Sequence, residues 1–589
     1  MKRQTNINLT NQAGGVPCLA HHKFKIAAHA LLALGLVLPT FAQNNLLGGL
    51  GGGNKHSWDL DSDPNATVDV IVQFKTPPTK QELKQLGPYG QMKKIFQGIN
   101  AINLLLPRKL VDQLMNDPNV LYVSPNRTST GSLDIVDATV FATYAWQYGW
   151  DGTGIGVAVI DSGVTPKNDL TVSSGVASRI VYSESFIGVP DTTDAYGHGT
   201  HVAGIVGGNA EDSTGAGFAH TYKGVAPNVN IINLRVLDQN GAGRESDVIA
   251  AIDRAIQLKN TYNIRVINLS LGHPVYESYK LDPLCQEVEA AWKAGIVVVV
   301  AAGNYGRDNS HGTRGYGTIA SPGNDPYVIT VGATKTAGTP SRLDDSIASY
   351  SSKGPTAVDH IVKPDLVAPG NNVVSLLSSP NCTLIQTHPS TQLSNYETWG
   401  AYSNVAANYF RLSGTSMATP VVSGAAALIL QQQPFLTPDQ VKARLMKTAG
   451  KILPKSSTGI DAISLNTFTS QGDIFTHGAG YLDIQAALAN TDIVLLPALS
   501  PTVTIDPVTH KIVVLRDFSV IWGDSVVWGD SVVWGSVAFN GKLLTGLSVV
   551  WGDSVVWGDS TTAGYSVVWG DSVNGITPME ASSADDGDI

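Results

Sequence analysis

Three short segments of the chain carry residue types that, brought together, would make a proton relay ending in a nucleophile. The first is Val157-Ala-Val-Ile-Asp161-Ser-Gly-Val164, where an aspartate closes an apolar run. The second is Gly197-His198-Gly199-Thr200-His201-Val202-Ala203-Gly204, where small residues on both sides leave the His198 ring room. The third is Gly414-Thr415-Ser416-Met417-Ala418-Thr419-Pro420, which opens an apolar stretch reaching Leu430. A serine hydroxyl is a poor nucleophile until an imidazole takes its proton. The imidazole in turn needs a carboxylate to hold its tautomer and offset its charge. A serine at a helix start also sits at the positive end of the helix dipole, with a backbone N–H able to face a developing oxyanion. One at a time the segments are weak: Asp161 reads equally as a strand-ending turn, and Ser416 as an ordinary N-cap. His198 and His201 are three apart, as in some metal sites, but no Glu lies between them and no third ligand has suitable spacing.

The elements around these segments say how they would be positioned. Residues 156–160, 229–236, 266–271 and 296–302 are apolar on both faces, and helical stretches lie between them. In one of these, residues 247–256, Val248, Ile249, Ile252 and Ile256 fall on one face. Strands buried on both sides and alternating with helices predict a mostly parallel sheet with helices on both faces, an α/β fold. Ligands of such sheets bind outside the carboxyl ends of the strands. Ahead of this region, residues 68–125 read as strand, helix, two strands, helix and strand, the split βαβ plan of a small α+β ferredoxin-like domain. Behind it, Ser-Val-Val-Trp-Gly-Asp units recur between 519 and 572, with Trp522, Trp528, Trp534, Trp551, Trp557 and Trp569 marking a period of six within each block. An even period preserves strand facing, and Gly-Asp allows a turn. The tail is therefore read as β-rich, either a surface-binding or self-associating module or a sticky extension.

The three segments together, in the order Asp, His, Ser, resemble the subtilisin-like serine proteases, the subtilases. The α/β-hydrolase order differs, and its elbow needs Gly where this chain has Ala418, which argues against an esterase or lipase. The resemblance covers roughly residues 140–490. It implies a serine endopeptidase with Asp161, His198 and Ser416 as its triad and protein or peptide chains as substrates. Ala301-Ala302-Gly303-Asn304 resembles the family's oxyanion segment. By that resemblance, the Asn304 amide and the Ser416 N–H would hold the tetrahedral intermediate. In subtilisin, loss of that amide donor costs roughly 10²–10³ in turnover. Ser270-Leu271-Gly272 looks like the substrate-binding edge, whose backbone pairs with an extended peptide. Leu271, Ala301, Ala302 and Gly303 would line the pocket for the side chain before the cut; being uncharged, they predict an apolar or aromatic preference and broad cutting. His273-Pro274 stands where many relatives have small residues, so the adjoining subsites differ. Residues 68–126 resemble the inhibitory prodomain of these proteases, which implies a zymogen that cuts itself near residues 124–133 and is inhibited by its own prodomain. The chemistry requires no cofactor. Asp169 matches a calcium-ligand position, and residues 207–222, longer than the family's usual calcium loop, offer oxygens on Asn209, Glu211, Asp212 and Ser213. Residues 378–407 read as an inserted surface loop.

Composition sets the remaining bounds. The chain has 589 residues, 43% of them hydrophobic and 15% charged, with a formal net charge of -10. That balance disfavours nucleic acid as a partner, since phosphate binding wants a basic face. Lys23 and Lys25 precede an apolar run at 26–38, and Thr40-Phe41-Ala42 offers small residues where a signal peptidase reads, so export with cleavage after Ala42 is expected. At about 13 residues the run is too short to span a bilayer. Cys18 falls in that signal, and the sequence leaves the pairing of Cys285 with Cys382 open. The expected division is a signal (1–42), a linker (43–67), the prodomain (68–126), the catalytic domain (132–492), a β-rich connector (493–518), the repeats (519–572) and an acidic tail (573–589). A dedicated processing protease and an adhesive protein whose protease domain serves maturation are the alternatives. The uncharged pocket favours broad cutting over the first, and the role of the repeats decides the second.

Overall fold

The computed structural model describes residues 55, 60, 63–96, 100–125, 133–172, 175, 177–215, 218, 220–310, 312–393, 408–461, 464–505, 512–515, 526–528, 532–534, 544–545, 579–581 and 587–588. The expected export signal, most of the linker, residues 126–132, most of the repeats and much of the acidic tail lie outside the described residues. The chain forms two compact units, residues 1–128 and 129–589.

In the first unit the order is β1 (Thr67–Phe74), α1 (Lys80–Leu86), β2 (Gln91–Phe96), β3 (Ala101–Pro107), α2 (Arg108–Leu114) and β4 (Val120–Pro125). The sheet runs β2-β3-β1-β4, with every pairing antiparallel. Alternation does the work: Val68, Val70, Val72 and Phe74 of β1 are buried, while the residues between them are at least partly exposed. The start of α1 is fixed by reciprocal bonds between Thr79 and Glu82, a capping box. This is the strand and helix order that the sequence predicts for residues 68–125.

In the second unit two short helices, α3 (Leu133–Thr139) and α4 (Ala142–Gln147), precede the sheet. Its strands are β5 (Gly156–Asp161), β6 (Ile180–Ser185), β7 (Asn230–Arg235), β9 (Ile264–Leu269), β11 (Val297–Ala301), β12 (Ile329–Lys335), β13 (Ser346–Ile347) and β14 (Leu366–Pro369). Between them come α5 (His198–Gly207), a two-residue strand β8 (Ala242–Gly243), α6 (Glu245–Tyr262), another two-residue strand β10 (Leu271–Gly272) and α7 (Pro283–Lys293). The sheet order is β13-β12-β11-β9-β5-β7-β6, with β14 beside β12. All of these pairs are parallel except β12 with β13. Every residue of β5 and β11 is buried, which is why these strands read as unbroken apolar runs.

A hairpin of β15 (Val373–Leu376) and β16 (Tyr409–Leu412) flanks a short helix, α8 (Thr383–Thr387). Then comes α9 (Thr415–Gln432), buried from Thr415 to Leu430 and packed on β9, β11 and β12. After it follow α10 (Pro438–Thr448), the hairpin β17 (Ser456–Ile460) with β18 (Thr467–Gln471), α11 (Ile474–His477) and α12 (Ile484–Ala489). Further strands are β19 (Thr502–Ile505), β20 (Ile512–Leu515), β21 (Val526–Trp528), β22 (Val532–Trp534), β23 (Leu544–Thr545) and β24 (Met579–Ala581). Two neighbouring hexapeptide units, β21 and β22, pair antiparallel, with Trp528 opposite Val532 and Trp534 opposite Val526.

The expectation of a surface loop at 378–407 needs correction in its first part. Cys382, Leu384 and Ile385 are buried, and the N–H groups of Thr383 and Leu384 donate to the carbonyls of Ala195 and Tyr196 at 3.1 Å. The segment braces the turn that leads into His198. Residues 394–407 lie outside the described residues.

Candidate active site

The sheet order brings the sequence-predicted residues to one end of three neighbouring strands. Asp161 is the last residue of β5, Ser270 follows β9, and Ala301 closes β11. Because β5, β9 and β11 are adjacent and parallel, their carboxyl ends open on the same side.

Asp161 and His198 meet there. Oδ1 of Asp161 lies 2.7 Å from Nδ1 of His198, and both side chains are fully buried. The same oxygen accepts from the Ser162 N–H at 2.7 Å. A carboxylate is acceptor only, so Nδ1 of His198 carries the hydrogen and Nε2 is the basic nitrogen. The helix that presents the ring begins at His198 itself, and its approach to β5 is close. A Cβ on Gly199 would stand 2.2 Å from the Gly163 carbonyl oxygen, so only glycine fits after the histidine.

Two residues outside the predicted set hold this geometry. Asp194 accepts from the N–H groups of Gly197 at 2.7 Å and Thr200 at 2.8 Å, and from the Ser162 hydroxyl at 2.8 Å. It thereby satisfies donors at the start of α5, which otherwise has no side-chain cap. Burial pushes its carboxyl above the ordinary value. Ser162 also accepts from the Gly199 N–H at 2.9 Å. His201, one helical turn on, is a core residue. Its Nε2 donates to the Val373 carbonyl at 3.1 Å, its ring stands edge-on to Phe410, and burial lowers its value to about 3.

Ser416 is the second residue of α9. Its hydroxyl donates to the Ser270 carbonyl at 3.1 Å, and the Ser270 hydroxyl donates to the Ser416 carbonyl at 2.9 Å. The second bond has a cause in the sequence. In a helix, the Ser416 carbonyl would accept from residue 420, but that residue is Pro420 and has no N–H. Asn268 and Ser423 extend the network behind it, at 3.0 and 2.8 Å. Asn304 lies beside it: one end of its amide accepts from the Thr415 N–H at 2.9 Å and the Thr415 hydroxyl at 3.1 Å. An N–H can only meet an oxygen, so that end is Oδ1 and the other end is the NH₂ donor. Leu271, Ala301 and Ala302 are buried around this point, and Gly303 has a φ of 102°, with no room for a Cβ against Ser352.

A family model described as the subtilase family matches residues 152–480, more than half of the chain and all the residues above. The chain belongs to the subtilase family. It is 38% identical over 399 residues to Serine protease AprX of Bacillus subtilis (strain 168), covering 65% of this chain and 83% of the relative. It is 33% identical over 406 residues to Subtilisin E of the same organism, covering 68% and 83%. A solved structure of a cold adapted subtilisin-like serine proteinase is similar at 33% identity, covering 51% of this chain and 83% of that one, with a TM-score of 0.35. This subtilase is a serine endopeptidase, a hydrolase of peptide bonds.

The expected calcium ligand of the subtilase is buried among hydrogen-bond donors. Asp169 is fully buried, and both its oxygens are engaged by donors: the Asp212 N–H at 2.8 Å and the Tyr409 hydroxyl at 2.7 Å. Arg179 donates to its carbonyl at 2.6 Å, and burial raises its carboxyl to about 6. Three of the other four expected donors serve the loop itself. Asn209 Oδ1 accepts from the Glu211 N–H, Ser213 Oγ accepts from the Tyr222 N–H, and Asp212 accepts from Asn168. Among the described residues, no group of three or more His, Cys, Asp or Glu side chains is placed to hold a metal ion. Cys285 and Cys382 are both buried and both free, so they do not form the disulfide that export would permit. Among the described residues, no helix is long and apolar enough to cross a membrane.

Proposed function

We propose that this subtilase is exported, matures by cutting itself, and hydrolyses peptide bonds broadly through an acyl-enzyme on Ser416. The Ser416 hydroxyl turns from the Ser270 carbonyl to His198 Nε2, which takes its proton as Oγ attacks the carbonyl carbon, and Asp161 holds the Nδ1–H and offsets the imidazolium charge. The tetrahedral oxyanion is met by the Ser416 N–H and the Asn304 NH₂. His198 then gives the proton to the leaving amine, and a water repeats the sequence to release the acid. The substrate adds as a strand along Ser270, Leu271 and Gly272, and its side chain before the cut enters the apolar lining of Leu271, Ala301, Ala302 and Gly303.

The observation that carries this reading is the 2.7 Å bond between buried Asp161 and His198, at the strand ends that also hold Ser270 and Ser416. Self-processing is supported by the split βαβ unit that precedes the catalytic unit, whose own role would be that of intramolecular inhibitor. Export is supported by Lys23, Lys25 and the apolar run at 26–38. The Trp-containing hexapeptides, two of which pair as strands, would serve surface or self-association. Ser416→Ala tests the reading. It is expected to abolish peptide hydrolysis and to leave a precursor uncut between residues 124 and 133, seen by intact mass. Normal maturation of that variant would overturn it.

A further inference from the structure

We propose that Met579–Ala581 of this chain occupies its own substrate cleft, and that a buried pocket for the Asp588 carboxylate anchors the same tail. The proposal rests on the reading of the β10 edge as a peptide-binding strand. On that edge β24 already sits. Leu271 and Gly272 of β10 pair with Ala581 and Glu580, and Gly243 and Ala242 of β8 pair with Met579 and Glu580, all antiparallel. Met579–Ala581 is thus the middle strand of a three-stranded sheet, the form an added peptide takes.

The second anchor is a built carboxylate site, whose Arg307 pairs with Asp588 through Nη2 and with Asp461 through Nη1 at 3.2 Å. Asp588 is 1% exposed. Its carboxylate accepts from the Ser349 N–H at 2.6 Å, the Ser349 hydroxyl at 2.5 Å and Arg307 Nη2 at 2.9 Å. Its backbone exchanges two bonds with the Asn371 amide, at 2.8 and 3.0 Å. A buried carboxylate is costly unless it is paired and hydrogen-bonded, and here it is both. The room is also specific. A Cβ on Gly459 would stand 2.4 Å from both carboxylate oxygens, and a Cβ on Gly587 would stand 2.2 Å from Asn371 Oδ1 and Ser413 Oγ. Charge points the same way: Arg307 opens onto a cleft of about 700 Å³ lined also by Arg314, Lys353 and Lys455, and the tail carries Asp585, Asp586 and Asp588.

Both anchors touch neighbours of Ser416. Ala581 pairs with Leu271, next to Ser270, whose carbonyl accepts the Ser416 hydroxyl. Gly587 abuts Ser413, three residues before Ser416. A tethered competitor acts at an effective concentration on the order of millimolar, so it raises the apparent KM for outside substrates.

The test uses mature enzyme from the whole precursor, a chain ended after Pro578, and a synthetic peptide of residues 577–589. The shortened enzyme is expected to cleave a reporter peptide with at least tenfold lower KM and similar kcat. The peptide should inhibit it competitively, and the same peptide with Asp588→Ala should inhibit at least tenfold less well. Should the shortened chain not fold, the full chain with Asp588→Asn takes its place as host. Equal KM values with inhibition by the added peptide, and a parent mass showing that the end of the chain has been lost, also support the proposal, since the parent then lacks the competitor. Reporter hydrolysis without inhibition by the peptide, or equal inhibition by both peptides, overturns the proposal alone. Absence of reporter hydrolysis overturns the functional reading beneath it.

Discussion

Ser270 and Ser416 exchange hydrogen bonds, each hydroxyl donating to the other residue's carbonyl, at 2.9 and 3.1 Å. The pair ties the end of β9 to the first turn of α9. It exists because Pro420 leaves the Ser416 carbonyl without its helical donor. A polar group stranded in the interior costs about 1–3 kcal/mol, so Ser270→Ala should lose roughly that much stability and lower kcat more than KM. Pro420→Ala in the same chain restores an N–H to that carbonyl and should recover most of the stability. Thermal midpoints of the single and double variants check this, and a double variant no better than Ser270→Ala would refute it.

Asp194 fixes the start of the helix that presents His198. Its carboxylate collects Gly197, Thr200 and Ser162 in one buried spot, so its loss frees the start of α5 to tilt. Misplacement of a relay group by about 1 Å is worth on the order of 10²-fold in rate. Asp194→Ala should lower kcat by about that factor with KM little changed. Asp194→Asn, which keeps one acceptor, should fall between. Equal losses from the two variants would point to folding damage instead.

The residues proposed as the relay could be singled out because each sits in a short string whose local chemistry is unusual, and the sheet was legible because strands buried on both faces leave unbroken apolar runs. Asp194 was not legible. It stands in Asp-Thr-Thr-Asp-Ala-Tyr, where an aspartate reads as any solvated turn, and only the fold reveals the three donors facing it. The surroundings of Asp169 were not legible for a related reason. A carboxylate in an oxygen-rich loop looks the same in sequence whether it faces a cation or the Tyr409 hydroxyl, which comes from 240 residues away. The Arg307–Asp588 pair spans 281 residues and has no local signature at all.

Asp325 gives the fold a pH dependence. It is fully buried, with Oδ1 accepting the Tyr327 N–H at 2.8 Å. Burial, with help from Glu289 and against the pull of Lys363 and Lys442, raises its carboxyl from 3.8 to about 7. The folded value lies above the unfolded one. Its stabilising share is therefore complete below about pH 4 and is lost as pH climbs through 7, a difference of about 4 kcal/mol. Asp325→Asn cannot titrate. In mature enzyme blocked by a serine-directed inhibitor, its loss of stability between pH 4 and pH 8 should be smaller than the parent's by that amount. Parallel curves would contradict this assignment.

Asn304 can be tested with two replacements that separate structure from chemistry. Its Oδ1 holds the Thr415 N–H and hydroxyl, and its NH₂ is the group assigned to the oxyanion. Asn304→Leu removes both functions. Asn304→Asp keeps the acceptor for Thr415 but puts an anion where the donor stood. If the residue only braced Thr415, the aspartate variant would retain activity. If it stabilises the developing charge, both variants should lose about 10²–10³ in kcat with KM almost unchanged, because the donor acts in the transition state rather than on bound substrate. The aspartate variant should be the worse of the two, since its charge repels the oxyanion. Steady-state kinetics on one reporter peptide, with thermal midpoints to show that Asn304→Asp keeps its fold, distinguishes these outcomes.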